Sequence, residues 1–295
     1  MGEAEERRWT ILELLQWTED HFGKHGIETA KLDAECLLAH CLGVPRLQLY
    51  VDFEKPTHPA ERARFRELVV RRARDRVPVS QLLGCKEFWS LELEVTSDVL
   101  SPRPETETLV EATLDRLADA SAGYRILDLG TGSGAIALAL ATERPAAHVT
   151  AVDISAAALQ IARANADKLH LSERIRFVEG DPFGAVRGEQ FDAVVSNPPY
   201  VARRDAAKLP PELAHEPEVA LFGGEDGLEI ASRLVAGTLQ ALAPGGVFAM
   251  ELAPDQTDRI AEESRQAGLV EIEILQDLAR RPRVVRARKP ADEDT

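Results

Sequence analysis

The chain has 295 residues, a formal charge of −15 and a sequence pI near 5.0, with 44% hydrophobic and 29% charged residues. That length and composition describe a globular chain with room for a real core, and exclude disordered and fibrous classes. The acidic balance argues against gripping long nucleic acid by counterion release, which needs a basic face.

The first residues, "MGEAEERRWTILELLQWTEDHF", mix charges throughout and lack the apolar core of a secretory signal. No later stretch reaches the roughly 18 apolar residues of a membrane span. Cys36, Cys41 and Cys85 have neither the count nor the spacing of a disulfide framework or zinc site. A reduced, cytoplasmic protein is expected, with no membrane partner and no metal.

Apolar residues three and four apart in "WTILELLQW" and "LDAECLLAHCLGV" predict helices, with Gly26 and Gly43 placed to end them. A third helix, "PAERARFRELVVRRARDR", carries arginines at 62, 64, 66, 71, 72, 74 and 76. With Glu61, Glu67 and Asp75 interspersed, these read as a solvated face or as a contact for an acidic partner. His40, on an apolar helix, is expected to serve packing.

Alternation then replaces the helical period, and "EFWSLELEVTSD" predicts a hairpin or extended linker. The prolines of "SPRPETE" make a stiff, shaped loop before a new helix. The expected division is a helical domain over 1–78, a hairpin linker over 79–100, an α/β domain over 101–290 and a disordered tail over 291–295.

From Arg125, apolar runs alternate with helical segments: "RILDLG", "HVTAVD", "IRFVEGD", "FDAVVSN", "GVFAMEL", "VEIEIL" and "RPRVVRARK" are the predicted strands. Continuous apolar strands separated by helices predict a mostly parallel, doubly wound sheet covered on both faces. Such sheets bind ligands at the carboxyl ends of their strands.

Four of those ends carry ligand-compatible groups. After the first comes "DLGTGSGA", where Gly130, Thr131, Gly132, Ser133 and Gly134 bring bare backbone and the amides of the next helix to one place. Gly130, Gly132 and Ala135 also fit the loose dinucleotide fingerprint, which keeps an NAD-dependent oxidoreductase open. Asp153 ends the second strand, about 20 residues on, where a carboxylate grips ribose hydroxyls. The plainer alternative, a helix N-cap, is already served by Ser155. Asp181 ends the third strand, as an acceptor for an adenine amino group beside Pro182, or as a turn aspartate.

The fourth strand runs into "NPPY". Asn197 offers one acceptor and two donors, Pro198 and Pro199 remove competing backbone amides so that carbonyls face the site, and Tyr200 supplies a flat face. That set suits a planar amide or amino group, whose NH₂ donates to Asn197 and the Pro198 carbonyl. A tight turn without ligand is the alternative, and a non-catalytic binding module would tolerate loss of Asn197.

"DLGTGSG", Asp153 and "NPPY" together resemble the class I S-adenosylmethionine-dependent methyltransferases that modify nitrogen on planar groups. "SPRPETE" and "EPEVALFGGEDGLEI" resemble one branch of these, the release factor glutamine methyltransferases (PrmC/HemK family), over nearly the whole chain. The resemblance implies a class I Rossmann-like methyltransferase domain behind a small helical substrate-recognition domain. It implies transfer of a methyl group to the glutamine N5 of the Gly-Gly-Gln motif in bacterial peptide chain release factors. The acidic balance and the lack of an inserted base-recognition domain speak against DNA, and a monomer is expected.

By the same resemblance, Gly130 to Gly134 wrap the methionine part of the cofactor, Asp153 takes its ribose, and Asp181 and Pro182 border its adenine. Asn197, Pro198, Pro199 and Tyr200 receive the glutamine, with Asn197, Pro198 and Tyr200 in the chemistry and Asn197 also bordering the cofactor. "RPETE" favours release factors over a large-subunit ribosomal protein, and an adenine-N6 methyltransferase shares the asparagine motif. The sequence departs from the family pattern at Pro182, aromatic in some members, and at Ser101, commonly isoleucine.

Overall fold

The structure, a computed structural model, describes residues 8–291. The tail expected over 291–295 falls, but for its first residue, outside them. The chain divides into two compact units, Met1–Gly84 and Cys85–Thr295.

The first unit is helical: α1 (Ile11–Lys24), α2 (Ala30–Leu42), α3 (Arg46–Val51), α4 (Pro59–Arg74) and α5 (Val79–Leu83). Thr10 starts α1 through a capping box, its hydroxyl accepting from the Glu13 amide at 3.2 Å while Glu13 accepts from the Thr10 amide at 2.9 Å. Gly43, at φ +65°, ends α2 in the left-handed conformation that glycine tolerates best. Phe22, Leu37, Leu38, Leu49 and Phe65 form the core, each contributing about 1.5–3 kcal/mol by burial.

Two expectations are corrected here. Arg72 does not lie on a solvated face: it is buried and donates to Asp33 at 2.7 Å, because α4 turns that position toward α2. His40 is exposed and does no packing.

The expected linker also divides differently. Residues 79–83 are helical, stopped by Gly84 at φ +74°. The hairpin β1 (Cys85–Phe88) and β2 (Leu91–Glu94) turns through Trp89 and Ser90, both at positive φ. It is not a tether: Phe88 and Leu93 are buried in one core with Leu109, Ile126 and Leu138. Asn165 clamps Glu94, accepting from its amide at 2.6 Å and donating to its carbonyl at 3.1 Å. Burial of alternate hairpin residues therefore assigns residues 85–94 to the second unit.

That unit holds a seven-stranded sheet in the order β5-β4-β3-β6-β7-β9-β8. The strands are β3 (Arg125–Leu129), β4 (His148–Asp153), β5 (Ile175–Glu179), β6 (Phe191–Ser196), β7 (Leu242–Glu251), β8 (Val270–Gln276) and β9 (Pro282–Arg288). β3 to β7 run parallel, and β9 pairs antiparallel with both β7 and β8. Both faces are covered. Ile126, Ala193 and Val195 point into one apolar layer, and Leu127, Leu129, Val152 and Val194 into the other.

The covering helices are α6 (Glu107–Arg116), α7 (Ala135–Glu143), α8 (Ala156–Lys168), α10 (Glu229–Ala241) and α11 (Thr257–Gln266), with a single turn, α9 (Glu218–Leu221), before α10. Every predicted strand is present, and the mostly parallel, doubly wound class is the one observed. Among the described residues no helix is long and apolar enough to cross a membrane.

Candidate active site

The strand order reverses at β3, whose neighbours are β4 and β6. In such sheets the crevice opens at that point, beyond the carboxyl ends of the strands. A cavity of about 200 Å³ lies there, far larger than a bound water needs.

One wall is the glycine turn. The amides of Gly130 and Thr131 donate to the Val152 carbonyl at 2.8 and 3.0 Å, which folds the turn back onto β4. Gly134 stands at φ +83°, where a Cβ would meet Ala162 and Leu138 at 3.2 Å, so glycine is needed for both conformation and space. Beneath the turn, Asp128 is fully buried and accepts from the Thr131 hydroxyl at 2.6 Å. Burial pushes its pKa up to about 7. Ser133 is buried, its carbonyl taking a hydrogen bond from Asn165 at 3.0 Å.

Asp153 lines the cavity at the end of β4. Its two carboxylate oxygens accept from the amides of Gly132, at 2.8 Å, and Ser155, at 2.9 Å. Each oxygen keeps a lone pair for one of two adjacent hydroxyls. Burial raises its pKa, and the backbone donors hold the rise down. Ser155 caps α8, accepting from the Ala158 amide at 3.1 Å, which leaves Asp153 free of that duty.

Pro182, with Gly180 and Ile154, continues the wall. Asp181 does not line it; its carboxylate reaches Arg233 at 3.2 Å on an exposed surface. The third strand thus brings a proline to the cavity, and its neighbouring acid pairs with Arg233, which also lines it.

Across the cavity stand Asn197, Pro198 and Pro199. The Ser196 hydroxyl donates to the Leu129 carbonyl at 2.7 Å and ties the end of β6 to the glycine turn. The Asn197 amide donates to the Thr106 hydroxyl oxygen at 3.2 Å, while its own Oδ1 is buried with no partner among the described residues. A buried acceptor left open is uncommon in a folded protein and marks a place for a donor.

Tyr200 lies outside the cavity wall, and burial, reinforced by Glu251, pushes its phenol up to about 12. Gln256 donates to the Tyr200 carbonyl at 2.9 Å.

The segment after β6 is held by a strap formed by residues 221–227. Val201 donates to Leu221 at 2.9 Å and Gly223 to Val201 at 3.0 Å. A Cβ on Gly223 would stand 2.3 Å from the Pro199 carbonyl and 2.5 Å from that of Gly227. Both obstacles are backbone. Gly223→Ala is expected to displace the Asn197–Pro199 segment and cut activity at this site on the order of 100-fold, the scale of a 1 Å misplacement. A wild-type rate would show that the strap moves freely.

The two stretches singled out on either side of the strands also meet. Arg103 donates to Glu216 at 2.6 Å, and the Ser101 amide donates to the same carboxylate at 3.2 Å. Sequence reasoning missed Thr106, Glu216 and Glu251 as parts of this site. Thr106 and Glu216 sat inside stretches already marked; Glu251 ends an apolar strand and gave no signal beyond being charged there.

The cavity fits S-adenosylmethionine: a side-chain-free turn, a carboxylate with lone pairs to spare and an apolar wall face the same space. The Methyltransferase small domain model matches residues 106–224, from the Thr106 turn to the strap. A structure at 23% identity and TM-score 0.51, the Thermus thermophilus 16S rRNA N2 G1207 methyltransferase with AdoMet and guanosine, shares the fold over 70% of this chain and 49% of its own. Sheet, cavity and matched domain make this chain a class I, S-adenosylmethionine-dependent methyltransferase, and the oxidoreductase alternative falls.

Residues 13–84 match the PrmC N-terminal domain model. The release factor glutamine methyltransferase of Rhodopirellula baltica is 43% identical over 290 residues, 95% of this chain and 97% of its own. That of Xylella fastidiosa is 46% identical over 260 residues, 88% and 94%. The chain belongs to the release factor glutamine methyltransferase family.

Proposed function

We propose that the protein transfers a methyl group from S-adenosylmethionine to the side-chain amide nitrogen, N5, of the glutamine in the Gly-Gly-Gln motif of bacterial peptide chain release factors. The observation that carries this reading is Asn197 at the cavity wall beside Pro198, its Oδ1 buried and without a partner among the described residues. A primary amide is the group that such an acceptor, beside a proline carbonyl, takes.

Bound in the cavity, S-adenosylmethionine supplies a methyl group on a positively charged sulfur. Asp153 and the turn of Gly130 to Gly134 hold it, with Pro182 against the adenine. Asn197 Oδ1 and the Pro198 carbonyl accept the two hydrogens of the glutamine NH₂ and fix its plane. An amide nitrogen is a poor nucleophile, so positioning provides much of the rate. As the N–C bond forms and the S–C bond breaks, leaving a neutral thioether, charge builds on that nitrogen, its N–H groups become better donors and both hydrogen bonds strengthen; the methylated nitrogen then releases one of its two protons to solvent.

A single glutamine offers too little surface for specificity, so the helical unit is proposed as the recognition element. Leu47 and Val51, 76% and 73% exposed, support that role. The protein is proposed to act as a cytoplasmic monomer, with neither DNA nor membrane as partner.

The test offers the protein S-adenosylmethionine with an unmodified release factor, a large-subunit ribosomal protein and adenine-containing DNA, and locates the methyl by mass spectrometry. One methyl on the Gly-Gly-Gln glutamine is expected. Methyl on the ribosomal protein or on adenine instead would overturn the substrate while keeping the fold.

A further inference from the structure

Glu251 ends β7, one residue beyond Met250, which pairs with Ser196, the residue before Asn197. The residue is 1% exposed, and neither carboxylate oxygen has a hydrogen-bond partner among the described residues. The groups facing it are the hydroxyls of Thr106 and Tyr200, the Arg283 guanidinium and the Glu105 carboxylate. Both hydroxyls stand close without reaching full hydrogen-bond geometry. Burial raises its pKa to about 7, with Glu105 adding to the rise and Thr106, Arg283 and Tyr200 opposing it. A buried, incompletely paired carboxylate is costly to keep, and such groups gather at functional sites.

Thr106 links this group to the chemistry. Its oxygen already accepts from Asn197 Nδ2 at 3.2 Å, and a hydroxyl has one hydrogen to give. Ionised Glu251 can only accept, which draws that hydrogen its way and leaves the Thr106 lone pair for the Asn197 NH₂. The Asn197 oxygen is then the atom turned to the cavity. Protonated Glu251 can donate to the same Thr106 oxygen, compete with Asn197 for it and let the amide turn over.

We propose that the carboxylate of Glu251 is a positioning residue that, through Thr106, fixes the Asn197 amide with its oxygen toward the substrate. The inference rests on Asn197 as receiver of the substrate amide and adds the device that orients it.

The test follows the Asn197 side-chain amide by NMR across pH, its signals identified by their absence in Asn197→Ala. An inflection near pH 7 is expected in the wild type and none in Glu251→Gln. On a release factor, Glu251→Gln should lower kcat on the order of 100-fold, the scale of a misplaced reacting group, with S-adenosylmethionine affinity within about twofold. Thr106→Val should fall with it and Thr106→Ser should recover, which keeps the test decisive if Glu251→Gln does not fold.

A flat amide titration in the wild type, or Thr106→Val turning over like wild type, would overturn the proposal. The titration needs no substrate. A wild type that leaves release factors unmodified therefore defeats the substrate reading alone, and a methylating wild type with an unaffected Thr106→Val defeats this inference alone.

Discussion

Asn197→Ala is expected to lose methyl transfer by about 10²–10³-fold, the range measured when one preorganised hydrogen-bonding group is removed from a site where charge develops. The reason lies in the two ends of the side chain. Nδ2 is committed to Thr106, and Oδ1 is buried without a partner, so the oxygen meets no need of the fold and is spare for substrate. Removing it takes away an interaction that strengthens as the nitrogen is methylated, which lowers kcat more than it weakens ground-state binding. S-adenosylmethionine affinity, measured by calorimetry, should stay within about twofold because Asp153 and the glycine turn are untouched. Equal loss of turnover and cofactor binding would refute this division of labour.

Asp153→Ala should do the reverse. Hydrogen bonds to a charged group contribute roughly 1.5–3 kcal/mol each, and two ribose hydroxyls would lose theirs, so affinity for S-adenosylmethionine should drop on the order of 100-fold or more. The variant also strips the Gly132 and Ser155 amides of their acceptor, which loosens the glycine turn and adds to the loss. At saturating cofactor, turnover should recover much of its wild-type value. Calorimetry showing unchanged affinity would remove Asp153 from the ribose.

The Glu251 device has a thermodynamic signature apart from catalysis. Its folded pKa, about 7, lies above the ordinary 4.5, so between those values the folded chain holds a proton that the unfolded chain has released. Stability therefore falls as pH rises through that window, by about 3 kcal/mol once both states are ionised. Glu251→Gln, slower as an enzyme, should melt higher at pH 8 and close to wild type at pH 4.5. A lower melting temperature at pH 8 would contradict the buried charge.

Much of this architecture was legible in the residues because it is built from repeated signals. Seven apolar runs, each closed by a polar or turn-forming residue, gave the strands of the sheet, and the strand ends gave the glycine turn, Asp153 and Asn197. Segments shorter than two helical turns gave nothing to count: Arg46–Val51 and Val79–Leu83 passed as connection, and the hairpin passed as linker because burial of Phe88 and Leu93 depends on a core assembled from residues far along the chain. The site was readable where backbone chemistry dictates residue type and unreadable where only side-chain direction matters. Asp181 pairs with Arg233, neither Asp181 nor Tyr200 lines the cavity, and Thr106 and Glu251 acquire meaning only once β6 and β7 lie in register.

The placement of β9 bears on the order in which a growing chain can be completed. Among the described residues, Pro282–Arg288 is the last strand in sequence, yet it lies between β7 and β8. During synthesis β3 to β7 can pair as they emerge, but β8 finds no edge to join until β9 has followed it out and slipped between them. Until then β7, the strand that ends in Glu251, has a raw edge, and Arg283 is missing from beside that carboxylate. A nascent chain interrupted before residue 282 would thus own the whole glycine turn and the whole asparagine motif and still lack the strand that completes the sheet beside Glu251.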